Sequence, residues 1–149
     1  MSKAHFVEDD LLAEKNEKYR KQGKKNKAKG ARFETKVRKD LISKGWIVSK
    51  WQNNVVDKKC VPAKPGYFRM MQTGFPDFIC YRTRSFLNDV VVEHEVIFVE
   101  CKTNGYLKPI EREKAKWYFD NKYCSYFLIA KEGEKRGEII YEDFISLSK

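Results

Sequence analysis

The sequence predicts an α/β fold in which a mixed β-sheet is flanked by helices, and three observations carry that prediction. Over residues 31–44, Phe33, Val37 and Leu41 recur at four-residue spacing, the mark of an amphipathic helix. Four runs rich in β-branched and aromatic residues, at 46–51, 78–82, 94–102 and 126–131, read as strands. A second helical stretch at 109–121 separates the last two of them, giving the order helix, strand, strand, strand, helix, strand. The 149 residues suffice for one core without disulfide or metal staples.

The N-terminal 30 residues stand apart from this pattern. Residues 6–22 are expected as a helix with a weak apolar edge of Phe6, Val7, Leu11 and Leu12, and 23–30 as a flexible lysine-rich linker. The chain therefore divides into a basic arm, 1–30, and a folded domain, 31–149. Its formal charge is +10, and most of it is local. Between Lys15 and Arg32 nine basic residues face Glu17 alone, an excess of +8. Such a segment suits a polyanion through phosphate neutralisation, and it suits a solvated tail equally well; its low apolar content argues against a membrane surface. The start lacks the apolar run of a signal peptide and no segment reaches membrane-span length, so a soluble, intracellular protein is expected. Cys60, Cys80, Cys101 and Cys124 are widely spread with no Cys-x-x-Cys pair, so reduced thiols are expected and a zinc site is not.

Within the domain, Gly45 supplies the stop for the helix at 31–44. Glu34 lies at the edge of that helix's apolar stripe, an ordinary place for a solvated Glu. After the first strand, residues 52–71 read as a long irregular loop. Pro76 is tolerated at a strand start and puts Asp77 at the entrance to the strand 78–82. Residues 83–93 read as a polar hairpin connection into the strand 94–102. Pro109 suits the first turn of the second helix, with Glu111 and Glu113 near its positive end and Ala115, Tyr118 and Phe119 on its core face. The strand 126–131, a charged turn and a short strand at 138–141 complete the chain.

The chemistry gathers at the end of one strand. In Val-Ile-Phe-Val-Glu-Cys-Lys, residues 96–102, Phe98, Glu100 and Lys102 share one face and Ile97, Val99 and Cys101 the other. Charge at the exit of a buried strand is costly unless paired or metal-bound, so a salt bridge is the plainest explanation. Asp77, at the entrance to the neighbouring strand, brings a second carboxylate to the same end. Clustered carboxylates repel unless a cation intervenes, and oxygen-only donors select hard ions, Mg²⁺ or Mn²⁺. Lys102 would then stand beside a nucleophilic water, either orienting it or, with its pKa lowered by desolvation, taking its proton.

Gly74-Phe75-Pro76-Asp77 followed by Glu100-Cys101-Lys102 resembles the signature of the PD-(D/E)xK nuclease superfamily, over roughly residues 30–141. The resemblance implies a restriction-endonuclease-like core (αβββαβ) and Mg²⁺- or Mn²⁺-dependent hydrolysis of DNA phosphodiesters. It implies that Asp77 and Glu100 bind metal, that the Cys101 backbone carbonyl completes the coordination and that Lys102 assists the water. It also promotes Glu34, because many members carry a metal-linked Glu on the first core helix. Residues 29–34 and 45–48 look most like archaeal Holliday junction resolvases; the Gly-Phe-Pro-Asp and Glu-x-Lys-Thr stretches look equally like virus-type replication-repair nuclease domains. A role in DNA repair or recombination, with branched DNA as substrate, follows from the first likeness, and cutting a junction symmetrically would need a homodimer. Two departures stand out: Gln52-Asn53-Asn54 and an insertion replace the glycine- and serine-rich segment of the resolvases, and Ile110-Glu111-Arg112-Glu113-Lys114 stands near the start of the second core helix, where many relatives carry a Gln.

Candidate nucleic-acid contacts are Lys24, Lys25, Lys27, Lys29 and Arg32 from the arm and Lys108, Arg112 and Lys114 around the second helix, where a solvated helix face is the competing explanation. Tyr67, Phe68 and Tyr106 are candidates for stacking on bases or for packing on their own domain. His94 reads as a surface turn residue. A catalytically silent nucleic-acid-binding module of the same fold, and a nuclease acting on RNA or single-stranded ends, are the alternatives.

Overall fold

Leu41 and Gly45 fix the geometry of the first helix. In a computed structural model, which describes residues 3–64 and 74–145, α1 runs Lys3–Ser43 and ends in a Schellman motif. The Trp46 amide donates to the Leu41 carbonyl (3.1 Å) and the Gly45 amide to that of Ile42 (3.0 Å), with Gly45 at φ +86°. Residues 23–30, expected as a flexible linker, are instead part of one continuous 41-residue helix. Two glycines cost a helix only about 1 kcal/mol each, and the surrounding Lys, Ala and Gln residues are good helix formers.

The strands are β1 (Ile47–Lys50), β2 (Asn53–Val56), β3 (Lys59–Pro62), β4 (Phe78–Leu87), β5 (Val90–Cys101), β6 (Tyr126–Glu132) and β7 (Ile139–Asp143), with α2 (Pro109–Asp120) between β5 and β6. Five of them form one mixed sheet in the order β1-β4-β5-β6-β7, where only β5 and β6 pair in parallel. That parallel pair needs a crossover, and α2 provides it.

Two expectations are corrected here. Part of the segment 52–71 is not irregular: β2 and β3 form a separate hairpin around Asp57 and Lys58, both at positive φ. The rest of that segment from residue 65, with Tyr67 and Phe68, lies outside the described residues. Residues 83–93 are not a connection but the far halves of β4 and β5, joined by a tight turn at Asn88-Asp89, also at positive φ. Asn and Asp tolerate this left-handed conformation, which suits the twist of a hairpin. His94 is accordingly an exposed strand residue opposite Thr83.

The sheet is buried on both faces. On one, Phe33, Val37 and Leu41 of α1 pack with Val48, Phe78, Ile97 and Val99. On the other, Ala115 and Tyr118 of α2 pack with Phe98, Phe127 and Ile129. Phe119, expected beside them, is only half-buried. Both sets of alternating β5 side chains are therefore core, as expected for a central strand with helices on either side. Among the described residues the four cysteines are unpaired, and no helix is long and apolar enough to cross a membrane.

Candidate active site

Asp77 is positioned by the four residues that lead into β4. A Cβ on Gly74 would meet the Trp51 carbonyl oxygen at 1.9 Å, so only glycine lets this segment lie against the end of β1. The Phe75 amide donates to the Asn53 carbonyl (2.9 Å), and the Phe75 ring stacks on Phe127 with centroids 5.8 Å apart. The Trp51 amide then donates to the Asp77 carbonyl (3.2 Å). Backbone and ring contacts thus hold Asp77 at the mouth of β4, alongside the end of β5.

There the two acids are linked reciprocally. The Asp77 amide donates to Glu100 Oε2 (3.1 Å), and the Cys101 amide donates to Asp77 Oδ2 (2.8 Å). It is the amide of Cys101, not its carbonyl, that meets Asp77. Lys102 Nζ lies 3.1 Å from Glu100 Oε1 and 2.8 Å from Glu111 Oε1. Glu111 also accepts the Lys108 amide at Oε2 (2.8 Å), the carboxylate half of a capping box at the start of α2. On the opposite side Glu34 Oε2 pairs with Lys50 Nζ (2.8 Å).

All of these groups line one open cleft of about 950 Å³, walled by α1 and β1 on one side and α2 on the other. Glu100 is only 5 % exposed, and burial, reinforced by the nearby Asp77 charge, pushes its carboxyl up to about 8. Burial also raises Asp77, with the Glu34 charge adding to it and the Cys101 amide, Lys50 and Lys102 opposing it. Lys102 is shifted the other way from the lowered pKa that the second of its two expected roles, taking the proton, requires. Burial pulls its pKa down, but Glu100 and Glu111 together raise it above the ordinary lysine value. An ammonium divided between two carboxylates holds its proton, and its share of attraction for Glu100 does not offset the loss of water there.

Asp77, Glu100 and Lys102 are therefore brought together, and Glu34 shares their cleft. Among the described residues, however, no three His, Cys, Asp or Glu side chains converge as a metal-binding group, since Glu34 lies on Lys50. Asp77 and Glu100 are the pair whose chemistry suits a cation: hard oxygen donors, adjacent, with ionisation opposed by burial.

The basic candidates divide. Lys108, the N-cap of α2, and Lys114, which donates to Asn54 Oδ1 (2.8 Å), line the cleft. Arg112 turns away, donating to the Leu107 carbonyl (3.2 Å) with its guanidinium over the exposed Tyr106 ring (5.6 Å). Lys24, Lys25, Lys27, Lys29 and Arg32 are exposed on α1 outside the cleft lining, and Lys29 pairs with Glu132 (3.1 Å). Sequence reasoning missed Lys50 and Asn54. Lys50 ends a strand whose partner strand begins at Phe78, so the pairing of β1 with β4 was the signal that could have found it. Comparison of the chain with protein-family models, with curated proteins and with solved structures returned no match.

Proposed function

We propose that this chain is a metal-dependent nuclease of the PD-(D/E)xK type, with a restriction-endonuclease-like core, that hydrolyses DNA phosphodiesters at a site made of Glu34, Asp77, Glu100 and Lys102. The observation that carries the reading is the reciprocal link between Asp77 and Glu100 beside Lys102, in an open cleft flanked by Lys108 and Lys114. A hard divalent ion such as Mg²⁺ or Mn²⁺ supplies Lewis-acid polarisation of the phosphodiester when bound. Asp77 and Glu100 are its protein ligands, with Glu34 as a further carboxylate in the same cleft and the Cys101 carbonyl as a further oxygen. Lys102 keeps its proton and stabilises negative charge at the phosphate, while Lys108 and Lys114 hold the flanking backbone.

A second reading, a catalytically silent nucleic-acid-binding module, is favoured by the pairing of Glu34 with Lys50 instead of with the other acids. One experiment decides between them. Linear duplex, single-stranded, flap and four-way-junction DNA, and RNA, are incubated with the protein in Mg²⁺, Mn²⁺ or EDTA. Metal-dependent cutting that disappears in Asp77→Asn and Lys102→Ala supports the nuclease and reports its substrate. Binding without cutting on every substrate in either metal selects the silent module. If four-way junctions are cut symmetrically, a two-fold dimer is required and sedimentation should detect it.

A further inference from the structure

The basic residues of α1 were expected to act as one charged segment, but a continuous helix sorts them by direction. Successive residues in an α-helix are rotated by about 100°. Taken from Glu34, Lys27 then lies about 20° around the axis, Arg20 about 40° and Lys24 about 80°. Lys18, Lys21, Lys25 and Arg32 are all about 140° or more away. The first three are exposed and share the side of the helix on which Glu34 enters the cleft. Asn16, Gly23 and Ala31 share this side, with the exposed Leu12 and Tyr19 about 40° and 60° from Glu34, so the face is mainly basic and polar.

The arm also leaves the domain at the end that bears the acids. Leu41 is tied to the Gly45 turn, whereas Glu34 pairs with Lys50, the last residue of β1, and Lys29 with Glu132, the last residue of β6. The helix therefore reaches the acid-bearing edge of the sheet at residues 29–34 and continues past it. Arg20 stands about 21 Å beyond Glu34 along the axis at ~1.5 Å per residue, a span of about six base pairs.

We propose that duplex DNA held in the cleft continues along this one face of α1, with Lys27, Lys24 and Arg20 meeting successive phosphates and the opposite face left to solvent. The proposal rests on the nucleic-acid reading of the cleft above. Its test compares two variants of the full chain that each remove two positive charges at similar heights on the helix: R20Q/K24Q on the cleft-side face and K18Q/K25Q on the other. Binding to a labelled 20-base-pair duplex is followed by fluorescence anisotropy in EDTA over a series of salt concentrations, with circular dichroism to compare helix content. R20Q/K24Q should weaken binding about tenfold and lower the salt slope by about two, and K18Q/K25Q should stay within about twofold of the parent chain. Equal losses in both variants, no loss in either, or no binding by the parent chain would overturn the proposal. The metal-dependent cutting assay separates the two ideas: a chain that cuts but shows no asymmetry loses only the basic face. A chain that shows the asymmetry but never cuts keeps the basic face and loses the nuclease.

Discussion

Glu100 and Lys24 belong to the two charged regions of this protein, and water separates them. Glu100 is 5 % exposed at the end of a central strand, and its ionisation is opposed by burial and by Asp77. Lys24 stands exposed on α1. A charge in the cleft is strongly coupled to its neighbours because little solvent screens it; a charge on the arm acts only in number, at a distance, and subject to salt. On the proposed function, positioning for chemistry would fall to the cleft and gathering of a polyanion to the arm. Four experiments press on that division.

The largest effect is expected on cutting. Asp77→Asn and Lys102→Ala should each lower metal-dependent turnover by about 10³-fold or more while leaving duplex affinity in EDTA within a few-fold. A variant that loses affinity and turnover in parallel would mean that the cleft acts only by binding. Next comes stability, where the two halves of α1 should part. Leu41→Ala, at 2 % exposure against the sheet, should cost about 2–5 kcal/mol in urea unfolding. Leu11→Ala, at 52 % exposure on the arm, should stay within about 0.5 kcal/mol. A comparable loss at Leu11 would show that the arm packs on something.

Removal of residues 1–29 should weaken duplex binding by about ten- to a hundredfold and flatten its salt dependence, with turnover at saturating substrate retained. Unchanged binding would reduce the arm to a solvated helix. The smallest effect is on the pH dependence of folding without metal. Glu100 holds a proton in the folded chain that an ordinary Glu, at 4.5, has released on unfolding, so stability should fall as pH rises from about 5 to about 8, and level off above. The raised Asp77 contributes with the same sign. Glu100→Gln should remove most of this slope. Because a cation favours the ionised acids, Mg²⁺ should raise the melting temperature more at pH 8 than at pH 6. A flat profile in EDTA would show that Glu100 is ionised when folded.

Much of this was legible beforehand, and the reasons differ from residue to residue. Phe33, Val37 and Leu41 announced their helix because a four-residue apolar spacing has one sensible use, and Gly45 marked its end because few other residues accept positive φ there. Pro76 and the alternation through 96–102 brought Asp77, Glu100 and Lys102 to one end of adjacent strands, which the register of Phe78 with Val99 shows. The β2–β3 hairpin and the full length of the β4–β5 hairpin escaped because their turns, Asp57-Lys58 and Asn88-Asp89, lack the glycine that usually signals them. The linker reading gave two glycines more weight than the good helix formers around them. The surroundings of Lys102 were hidden for a different reason. Glu111 is nine residues away along the chain, and only the packing of α2 brings it within 2.8 Å to hold the ammonium.

The sequence by itself determined which segments form the layers, where the positive charge is concentrated, and which acids stand at the strand ends, because periodicity, proline and glycine act locally. Tertiary structure alone decided how those charges behave. Strand pairing set Asp77 against Glu100, the crossover helix delivered Glu111 to Lys102, and β1 placed Lys50 on Glu34. The direction of each pKa shift follows from burial and from neighbours distant in sequence. The uninterrupted α1 likewise fixed which basic residues share the helix face of Glu34, since direction around a helix has meaning only when the helix runs unbroken.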